Sequence, residues 1–237
     1  MELLNQRLLT IADSLKGFER VCDIGTDHAF VPIYALEQDF VKSAIASDVK
    51  PGPLKVASKN INAAGLQKTI SIVQSDGFKA FKPGDFDCGV IAGMGGILIT
   101  HIIAGGLDVC KTLKRIVIQP MRDVELLRKW LMQNGFVITE EKIAVDSRKL
   151  YVVIIVNFSG KLLEYKQVDL LIGPCLKAGN DPHYLVYMQK LLAKHKKKVH
   201  GLEKSKNPEA RNALELANND LSTIMKWVDL NECSRRT

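Results

Sequence analysis

Acidic side chains stand at or near the ends of three short apolar runs that predict β-strands. The acids are Asp23, Asp48 and Asp76, and the runs are VCDIGTD (21–27), AIASD (44–48) and SIVQSDG (71–77). Ligands of open α/β sheets bind where parallel strands end at their carboxyl edge, so we expect these carboxylates at one crevice. A carboxylate can accept hydrogen bonds from both ribose hydroxyls but repels a polyphosphate, and the sequence has no P-loop. For each acid alone a helix N-cap is the better explanation, whereas Asp48 and Asp76 together favour a nucleoside ligand.

Glycines accompany these acids at the same strand ends. Gly25 follows the first run, Gly77 follows the third, and AGMGG over 92–96 ends a fourth run, CGVIAGMGG. Because glycine lets a backbone approach a ligand closely, a large flat molecule could lie against these loops. The pattern is not the dinucleotide fingerprint GxGxxG, since Asp27 and His28 stand where glycines would be needed. This difference argues against a nicotinamide enzyme.

The order of the predicted elements indicates how these residues come together. Strand-like runs alternate with helical segments up to a fifth run, RIVIQP over 115–120, whose Gln119 would place a fixed polar group beside the crevice. Such alternation predicts a parallel sheet covered by helices on both faces. Two β-rich runs follow, 136–146 and 149–158, and their short link leaves no room for a crossover helix, so they must be antiparallel. Residues 1–160 are therefore predicted as an α/β domain with a mostly parallel sheet and one late antiparallel strand.

The C-terminal third, residues 161–237, has a different pattern. Apolar residues step by three and four from Leu185 to Leu202 and from Leu214 to Val228, which predicts a small domain with a coiled-coil-like, antiparallel helical hairpin. The segment carries 14 basic and 9 acidic side chains. Its lysines include Lys190, Lys194, Lys196, Lys197, Lys198, Lys204 and Lys206. This charge suits a polyanionic partner, nucleic acid above all, although a solvated helix flank would have a similar pattern.

Composition narrows the class of protein further. The chain has 237 residues, of which 46% are apolar and 25% charged, and this excludes collagen-like, disulfide-dense and wholly disordered proteins. The five cysteines show no CxxC and no metal-ligand spacing, so we expect thiols in a reducing compartment and no metal. The N-terminus lacks the pattern of a signal peptide, and no apolar stretch is long enough for a membrane helix. We therefore expect a cytoplasmic protein without membrane contact.

Six segments together resemble the bacterial tRNA (adenine-22-N1)-methyltransferase family. They are DIGTDHAFVP, SDVKPGPL, SDGF, VIAGMGGILI, IVIQP and LRKWLMQNGF. The combination of DIGTDHA with AGMGG is specific, whereas either motif alone would be weak. The resemblance extends from the first helix to about residue 160, and the tail is similar to the coiled-coil-like C-terminal domain of that family. It implies a Rossmann-like class I methyltransferase that uses S-adenosylmethionine and acts on tRNA.

The resemblance also implies roles for individual residues. The implied cofactor-binding residues are Asp23, Gly25, Thr26, Asp27, His28, Asp48, Val49, Asp76, Gly77, Ala92, Gly93 and Met94. Among them, Gly25, Asp27 and His28 would border the methionine part and the methyl group of the cofactor. Asp48 would bind the ribose, and Asp76 with the glycine that follows it would bind the adenine. Ser75 departs from the pattern of the family, which has a glycine before this Asp-Gly pair.

The substrate side of the site is implied in the same way. The tRNA contacts would come from Gly95 and Gly96 at the catalytic mouth and from the basic helix through Lys190, Lys194, Lys197 and Lys198. Asp27 is the first candidate catalytic group, because it stands where a glycine is more usual and should face the methyl group. A carboxylate there could stabilise the cationic product ring or take a proton from its exocyclic amine. His28 is the second candidate, although a lone histidine in a turn is more often a structural hydrogen-bonding group.

Other interpretations of the same residues stay open at this stage. A methyltransferase of another RNA, a protein or a small molecule would keep every cofactor residue and differ only in its substrate surface. A non-catalytic RNA-binding protein could share the scaffold, although the intact acids at the strand ends argue against this. A tail that serves self-association predicts a dimer whose formation survives loss of the lysines, whereas a tail that grips tRNA is compatible with a monomer.

Overall fold

The computed structural model describes residues 4–147, 149–205, 207 and 210–234, with the backbone alone for 230–234. Its strands are β1 (Phe18–Ile24), β2 (Val41–Asp48), β3 (Ile70–Gln74), β4 (Cys88–Gly95), β5 (Arg115–Arg122), β6 (Phe136–Asp146) and β7 (Lys149–Phe158). Its helices are α1 (Gln6–Asp13), α2 (Phe30–Glu37), α3 (Pro51–Ala63), α4 (Gly96–Gly105), α5 (Leu107–Cys110), α6 (Val124–Gln133), α7 (Gln167–Leu171), α8 (Tyr184–Glu203) and α9 (Ala210–Ser234), with a 3-10 turn at Leu176–Ala178. The chain divides into two compact units, of which the first ends at Glu164 and the second begins at Tyr165.

The first unit is built on one seven-stranded sheet. The strand order is β3-β2-β1-β4-β5-β7-β6, and every neighbouring pair is parallel except the two that involve β7. β7 is therefore the one antiparallel strand, and it separates β5 from β6. This arrangement confirms the predicted Rossmann-like α/β sheet with a late reversed strand. The carboxyl ends of β1, β2, β3 and β4 all lie at the same edge of the sheet, as parallel pairing requires.

The strands carry apolar side chains on both faces because helices cover the sheet. In β4 both Val90 and Ile91 are fully buried, although consecutive side chains in a strand point to opposite faces. One apolar cluster joins α1, α2 and α3 to the sheet through Ile11, Ile33 and Ile61, among other side chains. A buried ion pair between Arg128 Nε and Glu141 Oε1, 2.8 Å long, links α6 to β6 inside this unit.

The second unit consists of helices. α8 and α9 pack along each other as the predicted antiparallel hairpin, and Trp227 Nε1 donates a 3.0 Å hydrogen bond to the Tyr184 hydroxyl. The predicted apolar stripe of α8 is wrong at one end: Leu185 is 59% exposed, whereas Tyr184 is buried in its place. The aromatic ring covers more apolar surface and its hydroxyl has a partner on α9, so the helix turns this residue inward. Within the described ranges, no helix is long and apolar enough to cross a bilayer.

Candidate active site

The turn after β1 is shaped by backbone hydrogen bonds to the neighbouring strand. The amide nitrogens of Gly25 and Thr26 both donate to the carbonyl oxygen of Ser47, at 2.7 and 2.8 Å. Gly25 has a φ of +78°, a conformation that glycine adopts without strain. Thr26 Oγ1 accepts a 3.2 Å hydrogen bond from the amide of Ala29, where α2 begins. Thr26 therefore closes the turn just before α2, whose N-cap residue is Ala29 and which has no side-chain cap, so Asp27 and His28 do not cap this helix.

Asp27 and His28 form a polar pair at the surface of this turn. Asp27 Oδ2 lies 3.2 Å from His28 Nε2, and the two side chains are 71% and 45% exposed. The imidazole ring stacks on Phe30 with the ring centroids 4.9 Å apart, which restrains its orientation. The carbonyl of His28 accepts a 2.9 Å hydrogen bond from Asn60 Nδ2 on α3, so the backbone is held as well. The pair is therefore oriented but open to a substrate.

Asp23 is the buried acid of the site. It lies in β1 with 7% of its surface exposed. Burial raises the pKa of its carboxyl to about 6, the hydrogen bond with Thr26 opposes this rise, and the negative charge of Asp48 adds to it. A carboxylate kept in such a position destabilises the fold, which is typical of groups retained for a ligand.

The acids at the ends of β2 and β3 each use one oxygen for a local contact. Asp48 Oδ1 accepts a 2.7 Å hydrogen bond from the amide of Lys50, just before α3 begins. Asp76 Oδ2 lies 2.5 Å from Lys79 Nζ in an exposed ion pair. Among the described residues, no hydrogen bond to the second oxygen of either acid is present. Each carboxylate therefore combines a turn-forming role with an oxygen available to a ligand.

Ser75 explains why the departure from the family pattern leaves the β3 turn intact. Its hydroxyl donates to the carbonyl of Gly77 at 2.8 Å and accepts from the amide of Ala80 at 3.1 Å. Gly77 itself has a φ of +61°, and a Cβ at this position would lie 3.0 Å from Ile102 on α4. The serine closes the turn through hydrogen bonds and leaves the carboxylate of Asp76 at the surface.

The AGMGG segment is irregular, and its glycines serve different purposes. The pairing of β4 with β5 shifts register around Met94, and Gly93 has a φ of +78°. A Cβ on Gly25 would lie 1.9 Å from Met94 Cε, so this side chain lies directly over the β1 turn. A Cβ on Gly96 would lie 2.4 Å from the carbonyl oxygen of Asp123, which shows that α4 begins in close contact with the turn after β5. Gly96 is thus buried by this packing, and it does not line the cavity at this edge of the sheet.

A crevice of about 420 Å³ opens at this edge of the sheet. It is lined by Asn5, Arg7, Leu8, Asp23, Gly25, Thr26, Asp27, His28, Ala29, Phe30, Val31, Ala92 and Gly93. The volume falls within the range of small-molecule sites. The structure brings seven of the predicted site residues to this lining: Asp23, Gly25, Thr26, Asp27, His28, Ala92 and Gly93. Five predicted cofactor residues are not in the lining: Asp48, Val49, Asp76 and Gly77 lie at the ends of β2 and β3, the next strands in the sheet, and Met94 lies in β4 over the β1 turn.

Helix α1 contributes a residue that the sequence did not single out. Arg7 lines the crevice, and its Nη1 donates a 2.8 Å hydrogen bond to Oε1 of the buried Gln119 on β5. The sequence places these two residues 112 positions apart, so only the fold reveals the contact. The sequence signal that could have indicated this contact was the polar Gln119 near the predicted end of the fifth strand. A fully buried side-chain amide requires hydrogen-bond partners.

The predicted basic residues of the second unit lie on α8. Lys190, Lys194, Lys197 and Lys198 are all exposed, and Lys198 Nζ lies 3.8 Å from Asp220 Oδ2 on α9. Lys196 and Lys204 are exposed too, whereas Lys206 lies outside the described residues. This part of the chain therefore presents a basic helix face to solvent.

Fold and site together define the class of protein. A parallel sheet with a reversed β7, an acid in β1, further acids at the ends of β2 and β3 and a glycine-rich end of β4 is the arrangement of a class I S-adenosylmethionine-dependent methyltransferase. Residues 21–225 match the sequence model of the TrmK family, described as tRNA (adenine(22)-N(1))-methyltransferase. The chain belongs to this family.

Individual relatives agree with this assignment. The tRNA (adenine(22)-N(1))-methyltransferase of Bacillus subtilis is 33% identical over 177 residues, which are 73% of this chain and 74% of that protein. A proposed tRNA (m1A22) methyltransferase of Streptococcus pneumoniae, solved with S-adenosyl-L-methionine, has a TM-score of 0.80 at 30% identity over 95% of this chain and 99% of its own. TrmK of M. capricolum, solved with S-adenosyl-homocysteine, has a TM-score of 0.80 at 25% identity over 96% and 99%.

These findings confirm the resemblance drawn from the six sequence segments. The chain is a tRNA (adenine-N1)-methyltransferase of the TrmK family, with S-adenosylmethionine as methyl donor. The crevice itself suits that donor. Its volume is adequate, the exposed backbone of Gly93 has no side chain of its own, and carboxylates flank the crevice.

Proposed function

We propose that the crevice beside β1 is the site from which this chain methylates N1 of adenine 22 in tRNA. The observation that carries the proposal is the joining, in one cavity, of a buried acid, Asp23, an exposed polar pair, Asp27 and His28, and the open backbone at Gly93. The buried acid Asp23 suits a cationic amino-acid group. The pair of Asp27 and His28 suits a reacting base, and the open backbone at Gly93 suits a flat ring. A second cavity, of about 320 Å³ and lined in part by Phe78, Lys79 and Asp108, contains none of the predicted cofactor residues.

Different residues around the crevice bind different parts of the cofactor. Gly25, Asp27 and His28 border the methionine part, with Thr26 fixing the turn and Asp23 beneath it. Asp48 binds the ribose through its second carboxylate oxygen, and the neighbouring Val49, which is 51% exposed, offers an apolar surface to the ring. The adenine lies at Asp76 and Gly77, and Ala92, Gly93 and Met94 form the opposite wall.

Asp27 and His28 act on the reacting base. S-adenosylmethionine supplies a methyl group on a sulfonium, and the lone pair of adenine N1 forms the new bond as the carbon–sulfur bond breaks. The enzyme needs chiefly to align the base, because positioning alone can lower such a barrier by about 7–11 kcal/mol. The product ring carries a positive charge, so the Asp27 carboxylate stabilises it and accepts a proton from the exocyclic amine. His28, 3.2 Å from Asp27, orients this carboxylate.

Two surfaces bind the tRNA in this proposal. Gly95, which is partly exposed, lies at the mouth of the crevice, and Gly96 supports it from beneath. In the second unit, Lys190, Lys194, Lys197 and Lys198 contact phosphates, which fixes the RNA without reading its sequence. A tRNA substrate and the buried free thiols of Cys22, Cys88 and Cys110 both support a cytoplasmic location.

Methyl transfer to defined tRNA tests the proposal. Purified protein, labelled S-adenosylmethionine and an unmodified transcript that carries adenine at position 22 should give one methyl group per tRNA. A transcript with guanine 22 should give none, because it lacks the accepting nitrogen lone pair at N1. Equal labelling of both transcripts would refute the assignment of the target.

A further inference from the structure

Two apolar side chains in the first turn of α4 face solvent. Ile97 is 48% exposed and Leu98 is 52% exposed, whereas Ile99 and Ile103 on the same helix are fully buried. The first turn has no acidic residue, and the helix has no side-chain cap. Polar and acidic residues are usual at such a position, because they satisfy the free amide groups and complement the helix dipole. Neither the packing of α4 nor its capping therefore accounts for Ile97 and Leu98.

The end of β5 and the start of α6 add exposed apolar surface beside this pair. Met121 is 51% exposed, and Leu126 is 53% exposed. The two segments touch, since a Cβ on Gly96 would lie 2.4 Å from the carbonyl oxygen of Asp123. Single apolar side chains are normal on a protein surface, whereas several that adjoin one another indicate a contact surface. We refer to the four exposed side chains together as the apolar rim: Ile97, Leu98, Met121 and Leu126.

The apolar rim lies on one particular side of the crevice. Ile97 follows the crevice-lining Gly93 by four positions, at the carboxyl edge of β4 and β5. The acids proposed for the nucleoside end of the cofactor, Asp48 and Asp76, lie at the ends of β2 and β3, on the other side of β1. The rim is therefore away from the cofactor nucleoside, on the side that is open to the methyl acceptor.

The polar groups beside the rim favour RNA as its partner. Arg122 is 81% exposed, its Nε lies 3.6 Å from Asp123 Oδ2, and it pairs with Gly95 of β4. His101 is exposed one helical turn after Ile97, on the same face of α4. A guanidinium and an imidazole next to apolar side chains suit a nucleic acid, in which phosphates alternate with flat bases. The substrate of the family, tRNA, has this chemistry.

Methyl transfer to N1 requires the adenine to leave its base stack. N1 lies on the edge that bases use for pairing, so the target must be turned outward before it reaches the cofactor. The departure of a base leaves a gap in the stack. Nucleic-acid-binding proteins commonly insert isoleucine, leucine or methionine side chains into opened base steps, where these side chains restore part of the lost contact.

We infer that Ile97 and Leu98 form a wedge that takes the place of adenine 22 in the base stack while the adenine occupies the crevice. This inference rests on the proposed function. Met121 and Leu126, the other members of the apolar rim, contact the bases that flank the gap. The wedge belongs to the same helix whose start adjoins the crevice, so insertion into the RNA and delivery of the adenine happen at one place.

A tRNA with 2-aminopurine at position 22 tests the wedge, because the fluorescence of this base rises when it leaves the stack. Wild type saturated with S-adenosylhomocysteine should raise the fluorescence, and the double variant Ile97→Gln/Leu98→Gln should not. Glutamine keeps a long side chain and a good helix propensity but lacks the apolar surface. We expect kcat/KM of the double variant for an adenine-22 transcript to fall about 10- to 100-fold. Its affinity for S-adenosylhomocysteine should equal that of wild type.

Two further proteins serve as controls. Ile97→Leu/Leu98→Met keeps the apolar volume and should retain both the fluorescence rise and the activity. Leu162→Gln changes an exposed leucine that follows β7, whose carboxyl end lies at the opposite edge of the sheet because β7 is antiparallel to β5. This variant should behave as wild type in both measurements. If the glutamine double variant fails to fold, Leu98→Gln alone should show a smaller loss of the same kind.

Three results would overturn the inference. A normal fluorescence rise with lowered kcat/KM in the glutamine variant would mean that the two residues shape the mouth and do not fill the stack. Normal activity of that variant together with loss of a wild-type dimer in sedimentation would assign the rim to contact between copies. Absence of a fluorescence rise with wild type that methylates the adenine-22 transcript would show that no base leaves the stack. Each differs from failure of the proposed function, in which wild type would not methylate this transcript.

Discussion

Asp27 carries the strongest prediction at the scale of single residues. Asp27→Asn removes the charge that stabilises the cationic product ring and keeps the shape of the side chain. We expect kcat to fall about 100-fold or more, a larger loss than any decrease in the affinity for S-adenosylhomocysteine, whose methionine part Asp27 also borders. Asp39→Asn is the control, because Asp39 is an exposed acid just beyond the other end of α2, with a φ of +54° that asparagine tolerates. Full turnover by Asp27→Asn would refute the catalytic role.

Asp23 links the site to the stability of the fold. Its pKa is about 6 in the folded protein, against the ordinary value of 3.8 that applies to the unfolded chain. The folded state therefore retains a proton that unfolding releases between these values, so stability falls as pH rises from about 4 to 6 and the full penalty applies above 6. Asp23→Asn should be more stable than wild type by about 3 kcal/mol above pH 6, and the difference should vanish below pH 4. Urea unfolding at several pH values measures this, and a difference that does not change with pH would contradict it.

Strand-end residues were predictable from the sequence, but Arg7 was not. Asp48 ends β2 and Asp76 follows β3, and the rule that parallel strands share a carboxyl edge is enough to place them at the edge of the sheet where the crevice opens, although neither acid lines the crevice. Arg7 lies on the first helix, and nothing in the local sequence connects it to Gln119. Its contact depends on how α1 packs against the sheet, which is a property of the tertiary fold.

The start of α4 gives the clearest prediction at the scale of elements. A methyl group at Gly96 would meet the backbone oxygen of Asp123 at 2.4 Å, and backbone cannot move aside as a side chain can. Gly96→Ala should therefore destabilise the protein by about 1–3 kcal/mol and lower methyl transfer, because the mouth of the crevice shifts. Gly105→Ala, at the other end of the same helix, would place a Cβ 3.8 Å from Lys79 Cε, an ordinary contact, and should be neutral. Thermal unfolding of the two variants measures this difference in stability. Equal melting temperatures for Gly96→Ala and Gly105→Ala would contradict the packing argument.

Long, strongly patterned elements were predicted more closely than short ones. The limits of β6 and β7 agree with the sequence, because their β-branched residues and tight link allow no other pairing. The five-residue helix α7 was missed, since a helix of little more than one turn shows no periodicity. Leu185 was assigned to the buried stripe of α8 because spacing alone cannot tell it from Tyr184, whose bond to Trp227 decides the outcome.

Charge is the feature that acts at the scale of the whole molecule. The chain has a net charge of +7. In our proposal, the basic face of α8 binds the phosphates of the tRNA. Changing Lys190, Lys194, Lys197 and Lys198 to glutamine should weaken tRNA binding and reduce the slope of log affinity against log salt by about 0.7–0.9 for each phosphate that is no longer neutralised. Binding of S-adenosylhomocysteine should be unchanged. The same four positions changed to arginine keep the charge and should preserve tRNA binding.

Removal of the lysines also separates the two roles considered for the helical tail. If tRNA affinity and its salt dependence stay the same in the glutamine variant, α8 does not grip the RNA. Sedimentation of the same variant then reports on self-association, because a dimer formed through the apolar faces of the helices would survive the substitutions.

Nucleoside analysis of the reacted tRNA tests the central claim most directly. Tritiated S-adenosylmethionine, the purified chain and an unmodified transcript are incubated, and the RNA is digested to nucleosides and separated by mass. We predict a single labelled nucleoside, N1-methyladenosine, which disappears when position 22 is changed. A labelled nucleoside other than N1-methyladenosine, or no labelled nucleoside from protein that binds S-adenosylhomocysteine, would contradict the account.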